Sequence, residues 1–180
     1  MTQNKQIMNS DEMDRAITRI AHEILEKNKG THQMVLVGIH TGGAILAKQF
    51  QEKIKSIESR EVPLGSLDIT LYRDDLSEIG PQPNIGETEI DFDVSGKTIV
   101  LVDDVLFTGR TVRCALDALI DLGRPRTIQL AVLIDRGHRE LPIKPDFVGK
   151  NIPTAKEEEV VVVFGENESS NCVLIQRKDV

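Results

Sequence analysis

The stretch IVLVDDVLFTGRTVRCAL, Ile99 to Leu116, decides the fold. It passes from a continuous apolar run through two adjacent carboxylates and a Thr-Gly pair into an amphipathic pattern. Thr98 to Asp103 has strand length, and Thr111 to Leu122 repeats at helical spacing until Gly123 closes it. The runs MVLVGI, Met34 to Ile39, and IQLAVLI, Ile128 to Ile134, are as apolar as the first, and Ser66 to Leu71 reads as a further strand. Strands of this kind are covered on both faces. Helices are expected between them: Ala44 to Ile54 carries Leu46, Ala47, Phe50 and Ile54 on one face. Nearer the start, Asn9 and Glu12 have capping-box spacing, and Met13, Ala16, Ile17, Ile20, Ile24 and Leu25 follow at helical period until Asn28 to Gly30. Cys172 to Ile175 is the one strand read near the end. Strand and helix alternate, which predicts an α/β fold with a parallel central sheet flanked by helices.

Composition sets the outer bounds. The chain has 180 residues, 39% hydrophobic and 28% charged, with no apolar run near the roughly 20 residues of a membrane span. One domain over 1–180 is expected. The start, MTQNKQIMNSDEMDR, has no apolar core after a basic opening, so neither a secretory signal nor an Arg-rich transit peptide is read there and the expected compartment is the cytoplasm. Cys114 and Cys172 have no metal-type spacing and read as reduced structural thiols. A net charge of −7 opposes sequence-blind adhesion to nucleic acid, although a local basic face remains open.

In a parallel sheet, ligands sit beyond the carboxyl ends of the strands. Three loops meet that edge: GIHTGGA (Gly38 to Ala44), DDVLFTGRT (Asp103 to Thr111) and DRGHRELPIKPDFVGKN (Asp135 to Asn151). In the second, Thr108, Gly109, Arg110 and Thr111 open a helix, where backbone N–H groups and the dipole favour a phosphate. Asp103 and Asp104 repel a bare phosphate but accept hydrogen bonds from sugar hydroxyls. The combination suits a sugar phosphate. Asp-Asp alone would equally suit an acidic magnesium pocket of the receiver-domain kind, and Gly42-Gly43 alone an ordinary turn. The least core-forming stretch is DDLSEIGPQPNIGETEID, Asp74 to Asp91, read as a long mobile loop.

The whole run from apolar strand through Asp-Asp to Thr-Gly-Arg-Thr resembles the phosphoribosyl pyrophosphate (PRPP) signature of type I phosphoribosyltransferases. With LDITLYRDDLSEIG, LGRPRTIQLAVLIDRGHRELPIK and DFVGKNIPT, the chain is similar over most of residues 13–164 to the bacterial bifunctional family of pyrimidine-operon regulators and uracil phosphoribosyltransferases. That resemblance implies transfer of ribose 5-phosphate from PRPP to uracil with Mg2+, giving UMP and pyrophosphate. It implies ribose contacts from Asp103 and Asp104, and nucleotide contacts from Val105, Leu106, Phe107, Thr108, Gly109, Arg110 and Thr111. His40, Thr41, Gly42 and Gly43 fall on the family's pyrophosphate loop. Members usually carry Lys-Thr-Arg-Gly or Lys-Arg-Arg-Gly there; backbone capture survives in this chain, but a charge-assisted bond is missing.

The resemblance further implies a flexible lid over 72–96 with Tyr72 and Arg73 at its base, and a base-binding hood segment over 135–155. Asp135, Arg136, Phe147 and Val148 would contact the base, Phe147 by stacking and Val148 through its backbone, although a plain core role suits Phe147 equally. Family regulators bind a hairpin in the leader of pyrimidine messenger RNA, with UMP as effector, and the residues carried over are Thr18, His22, Arg139, Lys144 and Lys150. Homodimers or higher homo-oligomers are implied as well. Two alternatives stay open: a regulator with little catalysis, and a purine phosphoribosyltransferase, because PDFVGKNIP is also similar to the base-binding region of hypoxanthine-guanine enzymes.

Overall fold

The run Met34 to Ile39 is buried at all six positions, as only a central strand with cover on both faces can be. In the computed structural model, which describes residues 4–74 and 86–177, the elements follow in this order. They are β1 (Lys5–Met8), α1 (Ser10–Asn28), β2 (Met34–Ile39), α2 (Gly42–Glu58), β3 (Leu64–Leu67), β4 (Thr98–Leu106), α3 (Arg110–Leu122), β5 (Thr127–Asp135), β6 (Phe147–Asn151), β7 (Glu158–Val163) and β8 (Cys172–Arg177). The main sheet has strand order β3-β2-β4-β5-β6 and every neighbouring pair is parallel. A second sheet, order β1-β8-β7, is antiparallel and joins both ends of the chain.

Two apolar layers sandwich the main sheet. One gathers Ile20 and Ile24 of α1 and Leu46, Phe50 and Ile54 of α2 against Leu36, Val100 and Leu133, and continues into Met8, Val160 and Val173 of the small sheet. The other packs Val112, Ala115 and Leu119 of α3 against Val35, Leu101 and Val132. The alternation of inward faces along β4 explains why its sequence is apolar without a period-two pattern. The capping box is present: Glu12 N donates to Asn9 Oδ1 and Asn9 N to Glu12 Oε2, both at 2.9 Å.

Several boundaries differ from the sequence reading. The strand expected over Ser66 to Leu71 ends at Leu67, where its partner β2 ends at Ile39. Asp68 Oδ1 then accepts Thr70 N at 2.7 Å and turns the chain into a short 3-10 helix, Thr70–Tyr72. Helix α2 begins at Gly42 rather than Ala44, so two glycines of the expected pyrophosphate loop are helical. β1 and β7 had no counterpart in the sequence reading; β1 offers only Ile7 and Met8 as apolar positions, whereas β7 contains the apolar run Val160 to Val163, which that reading passed over. The expected hood segment 135–155 contributes β6 to the main sheet, and the small sheet comes instead from β1, β7 and β8.

Of the lid reading, residues 75–85 lie outside the described residues. The returning arm is held to the sheet: Ser66 and Glu89 exchange two backbone bonds of 2.9 Å, and Ile90 and Phe92 pack on the second apolar layer. No described helix is long and apolar enough to cross a membrane. Asn9→Ala removes a cap that serves the whole of α1, and is expected to cost about 1 kcal/mol in chemical denaturation, with an unchanged dependence on denaturant.

Candidate active site

The carboxyl ends of β2, β4 and β5 converge on one edge, and β4 brings the acids there. Asp103 is 7% exposed and Asp104 half-buried beside it. Asp103 Oδ1 accepts the Asp104 amide at 3.0 Å, and Asp104 Oδ1 accepts the Val105 amide at 2.9 Å. Burial first, and the neighbouring Asp104 charge second, hold the Asp103 carboxyl well above the usual carboxylate range. Gly109 then turns with φ +92, a conformation that side chains disfavour, and a Cβ there would also press on Ile143 at 3.3 Å. That turn lets α3 start at once. Arg113 N is bonded to Gly109 O at 3.0 Å, so the Thr111 and Val112 amides ahead of it have no acceptor inside the helix and face an incoming anion.

The expected pyrophosphate loop lies alongside. Gly43 sits so close to β4 that a Cβ there would stand 3.0 Å from Asp103 Cα. His40 directly follows β2, and its Nε2 donates to Glu87 O at 3.0 Å and lies 3.1 Å from Ser66 Oγ. It ties the loop to the arm returning from residue 86.

Other predicted contacts are turned to different work. Phe147 is 3% exposed in the layer under α1, with Lys27 Nζ 5.3 Å from its ring centroid, so it is a core residue and does not reach the site. Arg136 is 6% exposed, donates to Thr154 Oγ1 and Ala155 O at 3.0 Å each, and stacks its guanidinium 3.9 Å from the Phe107 ring centroid. Burial lowers its pKa against the opposing pull of Glu158 and Glu159. Asp135 accepts Gly137 N at 3.0 Å and Arg139 at 2.6 Å. Arg139 also donates to Phe107 O and Ile143 O, both at 2.9 Å, so its guanidinium braces the nucleotide loop from within.

Val148 is half-buried on β6, where its carbonyl accepts Arg19. Arg110 pairs with Glu140 at 2.6 Å and Asp74 at 2.5 Å, which leaves its backbone rather than its side chain at the helix start. Tyr72 donates to Asp121 at 2.9 Å, and that bond raises its pKa. Arg73, beside it, is exposed.

Of the residues expected to meet RNA, Thr18 and His22 lie on α1, and Lys150 on β6. A residue not singled out from the sequence joins these elements: Arg19 donates to Val148 O at 3.1 Å and Gly149 O at 2.6 Å while pairing with Glu23. Its i,i+4 spacing to Glu23 was legible; the reach to β6 was not. Lys144 is exposed and Lys150 Nζ donates to Ile7 O at 3.0 Å.

The comparisons fit this geometry. Residues 3–169 match the phosphoribosyl transferase domain model. The chain belongs to the phosphoribosyltransferase family. Within that family it is 61% identical over 174 residues to Bifunctional protein PyrR of Thermus aquaticus, covering 97% of this chain and 96% of that protein. It is 58% identical over 179 residues to Bifunctional protein PyrR of Caldicellulosiruptor bescii, covering 99% and 98%. Among solved structures it is similar to a Trypanosoma cruzi hypoxanthine phosphoribosyltransferase in a ternary substrates complex, with TM-score 0.75, 19% identity, and 97% and 95% coverage. A Bacillus anthracis hypoxanthine-guanine phosphoribosyltransferase gives TM-score 0.66 at 17% identity, over 83% of this chain and 84% of that one. Likeness at this identity carries the phosphoribosyltransferase fold alone.

Asp103 gives the site a pH signature. The folded chain holds the Asp103 proton more tightly than the unfolded chain does. Its contribution to stability is therefore present in acid and is lost as pH rises from about 3.9 through the raised folded value. Asp103→Asn is expected to raise the thermal midpoint at neutral pH, with the advantage over the parent shrinking below about pH 4.

Proposed function

We propose that this phosphoribosyltransferase transfers ribose 5-phosphate from PRPP to uracil, giving UMP and pyrophosphate, and that it also binds pyrimidine leader RNA in response to UMP. One observation carries the enzymatic reading: paired carboxylates at the end of β4 run directly into the amide-lined start of α3, beside the glycine-rich start of α2. A 5′-phosphate on α3 places the ribose hydroxyls at Asp103 and Asp104 and the pyrophosphate at Thr41 to Gly43. The resemblance to the bifunctional pyrimidine-operon regulators, supported by relatives named Bifunctional protein PyrR, favours a pyrimidine over a purine as acceptor.

Breaking the anomeric bond builds positive charge on the sugar while pyrophosphate leaves, so the protein contributes position and charge. The carboxylates accept the ribose hydroxyls and favour the cationic sugar. The amides of α3 fix the phosphate, and those at the start of α2 receive the leaving group. Among the described residues no three His, Cys, Asp or Glu side chains converge as a metal cage. A pair of carboxylates fits magnesium that arrives on pyrophosphate with most of its water, and Asp103 and Asp104 would hold it. When bound, magnesium neutralises the leaving group.

The regulatory role uses the face formed by α1 and β6, with Thr18, His22 and Lys150, together with the exposed Lys144. A homodimer in the cytoplasm would double that face. Arg139, held inside, supports the loop that carries Lys144.

Pyrophosphate release from Mg2+ and PRPP is expected with uracil and not with orotate, hypoxanthine or guanine. Asp104→Asn is expected to lower it by about a hundredfold or more. Release with a purine, or none with any base, would overturn this reading. In gel shifts with a pyrimidine-operon leader hairpin, UMP is expected to tighten binding, and Lys150→Ala to weaken it several-fold while leaving pyrophosphate release intact. Equal shifts by both proteins would remove Lys150 from the RNA face.

A further inference from the structure

Residues 136–145 run between β5 and β6 without a helix or strand of their own. Among the described residues, their outgoing backbone bonds go to the end of β4 and the turn after it. Arg136 N donates to Leu106 O at 3.1 Å, and Glu140 N and Leu141 N both donate to Thr108 O, at 2.9 and 3.2 Å. Leu141 and Ile143 close over Gly109, so that a Cβ added there would stand 3.3 to 3.6 Å from them. A segment with no ladder of its own takes its shape from the groups that satisfy its backbone. Here those groups belong to the turn that starts α3.

Glu140 grips that turn at both ends. Its main chain donates to Thr108 O, and its carboxylate accepts Arg110 Nε at 2.6 Å. Gly109 stands between the two, buried and at φ +92. The same turn presents the amides proposed above to hold the 5′-phosphate. Four residues past Glu140 is Lys144, exposed and proposed above to meet RNA.

We infer that Glu140 is a positioning residue that couples the two ligands: a phosphate on the start of α3 fixes the turn, and Glu140 passes that order to the segment carrying Lys144. The inference rests on the dual reading above, in which UMP strengthens RNA binding, and gives that effect a route. Ordering a loop costs conformational entropy. Once the nucleotide has met that cost, RNA meets a segment already in place and binds more tightly. Linkage then requires RNA to tighten UMP by the same factor. Glu140 itself is assigned no contact with either ligand. Its carboxylate pairs at the surface, where an ion pair adds little to stability, and Arg110 keeps Asp74 as a second partner, so the fold is expected to survive its loss.

The test compares the full chain with Glu140→Ala. Affinity for a pyrimidine-operon leader hairpin is measured by fluorescence anisotropy with and without saturating UMP, and UMP affinity by calorimetry without RNA. The parent is expected to bind the hairpin about tenfold tighter with UMP, and Glu140→Ala less than about threefold tighter. UMP affinity without RNA, pyrophosphate release and the thermal midpoint are expected to stay close to those of the parent. UMP alone is expected to slow hydrogen exchange at the Leu141 amide in the parent and much less in the variant. A tightening factor unchanged by Glu140→Ala, even where the variant loses affinity for both ligands, would make Glu140 a plain support and overturn the inference while leaving the dual function standing. A parent whose hairpin affinity ignores UMP would overturn the regulatory reading and the inference together.

Discussion

The first turn of α2 rests on the carboxyl end of β4 with backbone against backbone, and the rest of the site depends on that contact. β4 is the middle strand of five, with its residues from Thr98 to Val102 fully enclosed, so its end cannot move without disturbing both apolar layers. Gly43 permits the approach, since a Cβ there would stand 3.1 Å from the Val102 carbonyl carbon. Two helix starts, of α2 and α3, are thereby held at one edge with the paired acids between them. Positive helix ends on either side of a carboxylate pair make a place for a ligand with anionic ends and a hydroxylated middle.

The segment Asp135 to Arg139 shows how a run of charged residues can serve construction instead of contact. A buried guanidinium must satisfy its donors, because each one left without an acceptor costs free energy. Arg136 does so with Thr154 and Ala155, and Arg139 with Asp135 and the carbonyls of Phe107 and Ile143. Phe107 is gripped on its ring by Arg136 and on its carbonyl by Arg139, with His138 edge-on at 5.9 Å. The loop proposed to carry the nucleotide contacts is thus tied to the chain leading to the small sheet. Arg19 makes a similar tie between α1 and β6, the two elements of the proposed RNA face.

What the sequence determined by itself were the features fixed by local chemistry. Continuous apolar runs gave β2, β4 and β5 because a strand covered on both faces tolerates nothing else. Asn9 with Glu12 gave the start of α1, Gly123 the end of α3, and Asp-Asp before Thr-Gly-Arg-Thr gave the acids and the amide-lined turn, all interactions completed within a few residues. Tertiary structure decided whatever depends on distant partners. β1 is a strand because β8 pairs with it, and β3 stops at Leu67 opposite the end of β2 at Ile39. Phe147 became core because α1 covers it, and Arg136 and Arg139 became struts because their acceptors lie on other segments. Side-chain type and spacing announce chemistry, but only the packed backbone fixes which groups face a ligand and which are used to hold one another.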